Sequence, residues 1–165
     1  MPPSRSSFRL IYDHKYKTMD NTDIEILLVE DNKNDAELTI RALRKGDVTN
    51  NIVHLKDGAS ALDFLFGKGE FSARNTNLKP KLILLDLKMP KVDGLEVLRS
   101  IKSNELTKKI PVVVLTSSRE NPDVETAYSL GANSYIVKPV DFESFTQSIC
   151  DLGLYWMQLN QSPIL

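Results

Sequence analysis

Five side chains with chemistry to offer stand at the ends of short apolar runs. Glu30-Asp31 follows residues 24–29 (IEILLV), Asp86 follows residues 81–85 (KLILL), Thr116 closes the run at 111–115 (PVVVL), and Lys138 follows residues 134–137 (SYIV). Three carboxylates brought together repel and raise one another's pKa. A divalent cation relieves that conflict, and Mg²⁺ takes hard oxygen ligands, keeps water and commonly shares its site with phosphate. Lys138 supplies a point charge suited to a phosphoryl oxygen, and Thr116 supplies a hydroxyl hydrogen bond. Asp86 has no acid–base partner of the hydrolase kind, so a carboxylate nucleophile beside a metal points to an aspartyl-phosphate. Taken singly, each residue has a plainer explanation. A strand-end acid is commonly a helix cap or a solvated loop residue, Thr116 an ordinary cap and Lys138 a surface lysine. The coincidence of all five is what carries the chemistry.

These side chains meet only if the apolar runs are strands of one sheet. Continuous apolar runs of this length suit strands buried on both faces, and residues 52–55 (IVHL) form a weaker further run. Between the runs, apolar residues recur at helical spacing: Ala36, Ile40 and Leu43, then Ala59, Leu62 and Phe66, then Leu95, Leu98 and Ile101, then Val124, Ala127 and Tyr128. Asn121-Pro122 reads as an N-cap followed by a first-turn proline, and a last helix is expected from about Asp141. Alternating strands and helices predict an α/β domain with a five-stranded parallel doubly wound sheet. Its ligand site is expected at the carboxyl ends of the strands, where strand order reverses. Residues 67–80 (GKGEFSARNTNLKP) break the rhythm and are expected to form a long, passive surface loop.

The chain has 165 residues, room for one full core. Residues 21–160 are assigned to that domain and 161–165 to a short tail. Residues 1–20 form a basic extension poor in core residues. It is read either as a disordered tail or as upstream sequence before a start at Met19. A formal net charge of −1 gives no reason to expect nucleic acid or an anionic membrane as partner. No apolar run approaches the roughly 18 residues of a membrane helix. A single cysteine, Cys150, forms no internal disulfide and fits a reducing cytoplasm.

The residues resemble the response regulator receiver family over about residues 24–152. Val29-Glu30-Asp31-Asn32 is similar to its acidic pair, and Asp86-Leu87-Lys88-Met89-Pro90 with Asp93-Gly94 to its phosphoacceptor loop. Leu115-Thr116-Ser117 and Gly131–Tyr135 leading to Lys138-Pro139 look like its switch segments. The resemblance implies a flavodoxin-like receiver fold and Mg²⁺ as cofactor. It implies Asp86 as acceptor of a phosphoryl group from a sensor histidine kinase. Metal ligands would be Asp31, Asp86 and the Lys88 carbonyl, with Glu30 acting through water. Thr116 and Lys138 would hold phosphoryl oxygens, Tyr135 would turn inward as Thr116 moves, and the Lys138-Pro139 bond would be cis. Lys88 and Ser118 stand two residues beyond Asp86 and Thr116, at sites where the family varies. Asp57-Gly58, Asp63–Phe66, the longer loop and residues 82–98 look more narrowly like stand-alone regulators of bacterial, especially cyanobacterial, phytochrome kinases.

Such a protein is not an enzyme in the ordinary sense, since it catalyses only its own phosphorylation and dephosphorylation. An aspartyl phosphatase of the haloacid dehalogenase type is disfavoured because Lys88 stands where that family has a second Asp. A scaffold receiver that is never phosphorylated should lack acceptor or metal residues, and none is lacking here. A nucleotide-binding enzyme would want a glycine turn after the first strand. After the last helix only residues 160–165 remain, so output is expected through binding. Phe142, Phe145, Ile149, Leu152, Trp156 and Leu159 form one apolar stripe on that helix, and Cys150, Leu154 and Met157 a second. The second stripe, together with the fourth helix and fifth strand, is expected to form a homodimer contact unless it folds back on its own domain. Gly153 is a candidate bend before it.

Overall fold

The computed structural model describes residues 24–46 and 51–163. The basic extension expected at 1–20, and residues 164–165 of the expected tail, lie outside them. Strands β1 (Ile26–Val29), β2 (Ile52–Leu55), β3 (Leu82–Leu85), β4 (Val112–Thr116) and β5 (Ser134–Val137) form one parallel sheet in the order β2-β1-β3-β4-β5. Helices α1 (Lys33–Lys45), α2 (Gly58–Phe66), α3 (Gly94–Ser103), α4 (Asn121–Ser129) and α5 (Phe142–Leu154) follow the strands in turn. This is the expected flavodoxin-like receiver architecture. Strand order reverses between β1 and β3, the neighbours from whose ends Glu30-Asp31 and Asp86 emerge.

Strands β1 and β3 are apolar throughout, and β4 as far as Thr116, because successive side chains enter opposite cores. Leu27, Val29, Ile83, Leu85, Val112 and Val114 join residues of α2 and α3, with Ala127 of α4, in one core. Ile26, Leu28, Leu82, Leu84, Val113 and Leu115 meet residues of α1 and α5 in the other. Four helices begin with a side-chain cap: Asn32, Asp57, Asp93 and Asp141 each accept from a backbone N–H of the first turn. Helix α4 has no side-chain cap.

Several expectations need correction. Helix α2 buries Gly58, Ala61, Phe64 and Leu65 rather than Ala59, Leu62 and Phe66. Residues 62–66 are apolar on nearly every side, so spacing alone does not orient them. The close approach of Gly58 does, since a Cβ there would lie 2.6 Å from Val97 Cγ2 and 2.7 Å from the Val92 carbonyl. Asn121 is the first residue of α4 and Glu120 its N-cap, while Tyr128 is exposed. The Lys138-Pro139 bond is trans, as are all described peptide bonds; trans is the form favoured by about 0.5–1 kcal/mol.

Residues 67–80 form the expected long surface loop, and part of it packs onto α2. Gly67, at φ +64°, ends α2, a short 3₁₀ turn follows at Gly69–Phe71, and Phe71 is buried edge-on against Phe64. The Arg74 guanidinium lies 4.0 Å from the centre of the Phe64 ring and donates to the carbonyls of Phe64 and Leu78. It thereby satisfies an end carbonyl of α2, and burial lowers its pKa to about 10. At the other end, α5 runs through Gly153 without a break and passes into a π turn at Tyr155–Leu159. Trp156 and Met157 pack on the α1–α5 core, and the Cys150 thiol bonds to the Ala42 carbonyl of α1. Two of the three residues of the second stripe thus fold back, and Leu154 stays exposed with Tyr155 and Leu159.

Candidate functional site

The site grows out of the strand ends. Leaving β1, the chain places Glu30 inward, 2% exposed, and Asp31 outward. Asn32 then caps α1 through Asp35 N. Glu30 Oε1 accepts from Asn32 N at 3.0 Å, and its carbonyl accepts from His54 Nε2 of β2 at 2.8 Å. Leaving β3, the chain places Asp86 at 7% exposure. The loop that follows holds Lys91 at φ +67°, a left-handed conformation that residues other than glycine seldom adopt. It returns at Gly94, where a Cβ would sit 2.2 Å from the Asp86 carbonyl oxygen. Only glycine lets the start of α3 pack this close behind the acid.

One carboxylate oxygen from each of Glu30, Asp31 and Asp86 lies within 4.8 Å of the others. This donor set, hard oxygens in a half-buried cleft, fits a small divalent cation. From the far side comes Lys138, whose side chain is 8% exposed. Its ammonium donates to Glu30 Oε2 at 2.5 Å and to Asp35 Oδ2 at 2.9 Å, and stands 3.7 Å from Asp86 Oδ2. Burial, and next the charge of Asp86, push the Glu30 carboxyl up to about 8, against the downward pull of Lys138. Burial works to lower the Lys138 pKa, but Glu30, Asp35 and Asp86 together raise it. The ammonium is therefore kept charged by the acids around it.

All five strand-end residues lie at the carboxyl ends of the strands, but the hydrogen bonds of Thr116 and Tyr135 go to Ser118 rather than to the acid cluster. Thr116 is fully buried, and its hydroxyl accepts from Ser118 N at 3.4 Å. The Tyr135 hydroxyl donates to the Ser118 carbonyl at 3.0 Å. Lys88 N points at Asp86 Oδ1 over 3.4 Å, and its ammonium pairs with Asp123 Oδ2 at 3.0 Å. Asp35, Asp123 and His54 were not among the residues picked out from sequence. Asp35, in the first turn after a cap, looks like an ordinary helix-start acid. Its role shows only when β5 delivers Lys138 across more than a hundred residues.

A family model described as the response regulator receiver domain matches residues 26–150. The chain is 45% identical over 138 residues to the probable methanogenesis regulatory protein FilR2 of Methanothrix harundinacea, covering 84% of this chain and 86% of that protein. The crystal structure of the Mn²⁺-bound form of response regulator Rcp1, a Synechocystis protein, matches with 38% identity and a TM-score of 0.79, over 86% of this chain and 99% of that one. The crystal structure of the phosphorylated cyanobacterial phytochrome response regulator RcpA matches with 38% identity and a TM-score of 0.80, over 87% of this chain and 100% of that one.

Proposed function

The chain belongs to the response regulator receiver family, and from that premise we propose that it accepts a phosphoryl group on Asp86 from a sensor histidine kinase. The observation that carries this reading is the meeting of three carboxylates within 4.8 Å with an ammonium 3.7 Å from Asp86. In the transfer, an Asp86 carboxylate oxygen attacks the phosphorus of a phosphohistidine. The N–P bond breaks and its electron pair returns to the imidazole nitrogen. Asp31, Asp86 and the Lys88 carbonyl would hold Mg²⁺ directly, with Glu30 acting through water. Mg²⁺, when bound, offsets the negative charge gathered between acids and phosphoryl oxygens. Lys138 exchanges part of its carboxylate company for a phosphoryl oxygen, and the Thr116 hydroxyl turns to bond another. Tyr135 moves with Thr116 because both are tied to Ser118.

The kinase partner is proposed to be of the phytochrome type, supported by the likeness to RcpA. FilR2, at 45% identity, bears the name of a methanogenesis regulator. Output is proposed as binding: a homodimer through α4, β5 and α5, supported by exposed Tyr128, Leu154 and Tyr155 on those elements and the turn after them. The protein would turn over no separate substrate. A cytoplasmic site of action accords with its lone cysteine, and no described helix is long and apolar enough to cross a membrane.

The test is intact-mass labelling with acetyl phosphate and Mg²⁺. Wild type is expected to gain one phosphoryl group, and Asp86→Asn none. Labelling of Asp86→Asn at the wild-type stoichiometry would remove Asp86 from the reading.

A further inference from the structure

Lys88 starts beside the acceptor but does not end there. Its ammonium lies 3.0 Å from Asp123 Oδ2, on the first turn of α4. The same oxygen accepts from Ser118 Oγ at 2.5 Å, and the Ser118 carbonyl accepts from Tyr135 at 3.0 Å. One carboxylate therefore joins the acceptor loop to the β4–α4 loop and, through Ser118, to β5. Helix α4 is otherwise lightly held: it lacks a side-chain cap, and among its residues only Ala127 is buried.

Resting on the reading of Asp86 as phosphoacceptor, we propose that Asp123 is a positioning residue that holds the Lys88 ammonium away from Asp86. A phosphoryl group on Asp86 then takes Lys88 from Asp123 and frees the first turn of α4 from the acceptor loop. The competition favours the phosphoryl group on simple grounds. It carries about −1.5 to −2 charge and three acceptor oxygens, whereas Asp123 Oδ2 already shares itself with Ser118. Lys88 N is 3.4 Å from Asp86 Oδ1, so its flexible four-carbon stem is rooted at the acceptor. The Lys88 side chain is 59% exposed and that of Asp123 15%. A pair so placed is weak enough to exchange partners. Ser118 keeps its bond to Asp123 when Lys88 leaves, so α4 and the β4–α4 loop move together, and Tyr135 with them.

The experiment is a beryllofluoride titration of the full chain with Mg²⁺, read by NMR. Asp123→Asn is expected to bind the phosphoryl mimic about twofold to fivefold more tightly than wild type, the size of an exposed ion pair. In a Lys88→Met background the same substitution is expected to change nothing, a dependence that a merely structural role of Asp123 would not produce. Equal affinity for wild type and Asp123→Asn, or an equal gain with Lys88→Met, overturns the proposal. Amide exchange without the mimic gives a second reading. The first turn of α4 should exchange faster in Asp123→Asn by a similar factor, with α1 and α3 unchanged; unaltered exchange in α4 overturns the tether. Wild type that binds no beryllofluoride overturns the acceptor reading and the competition with it. That outcome is distinct from one in which wild type and Asp123→Asn bind equally.

Discussion

The two sides of the sheet's active rim are built to different standards. Around β1 and β3 every strand residue is buried, and the helices that follow, α1 and α3, each start on a side-chain cap. Around β5 every strand residue is half-buried, and α4 starts without such a cap and buries one residue. The acids that would receive charge stand on the first side, and Tyr135 and Asp123 stand on the second. A site that must hold a metal and a reacting carboxylate in register needs the rigidity of a sealed core. A surface that must take two arrangements needs low local stability. Lys138 crosses from one to the other, leaving β5 with its ammonium seated among Glu30, Asp35 and Asp86.

Breaking that crossing should have the largest effect. Lys138→Ala leaves buried Asp86 without its counter-charge and Glu30 Oε2 without its donor, at a cost of about 3 kcal/mol in metal-free protein. Chemical denaturation should show added Mg²⁺ recovering part of that loss. Phosphorylation of the variant should no longer shift the NMR signals of α4 and β5. Next, Leu84→Ala in fully buried β3 should cost about 2–5 kcal/mol, against less than about 1 kcal/mol for Val124→Ala at a half-buried position of α4. Comparable losses would erase the contrast. Gly94→Ala forces a methyl group toward the Asp86 carbonyl and should cost about 1–3 kcal/mol. It should also slow phosphoryl uptake from acetyl phosphate, because the acceptor loop has to move. The smallest effect sharpens the comparison. Asp93→Ala should cost about 1 kcal/mol by removing the α3 cap, and Glu120→Ala at the same position of α4 should stay within about 0.5 kcal/mol.

The sealed side was legible in the sequence. Uninterrupted apolar runs ending in Glu30-Asp31 and Asp86 announce strands buried on both faces and the residues at their exits. Thr116 was legible for the same reason, and Lys138 because it follows a further short run at 134–137. What escaped depends on the third dimension. Asp35 and Asp123 look like first-turn helix acids, and only the meeting with Lys138 and Lys88 gives them partners. The packing of Arg74 on Phe64 was hidden because a polar, glycine-bearing stretch gives no sign of where one guanidinium will lie. The facing of α2 depended on Gly58 approaching Val92 and Val97, a fit between helices that periodicity within one helix does not encode. Tyr128 was misplaced because α4 has a weak apolar face, which is the property that sets it apart from its neighbours.

The division of labour between the two sides is tested most directly by mapping amide chemical shifts of the wild-type chain before and after beryllofluoride and Mg²⁺. Residues around Glu30, Asp31, Asp86 and Lys138 should shift because they adjoin the bound group. Beyond them, the changes should continue through residues 117–137, across α4 and β5, and fade within the first turns of α1 and α3. Changes confined to the acid cluster, or spread evenly through α1, α2 and α3, would contradict the account.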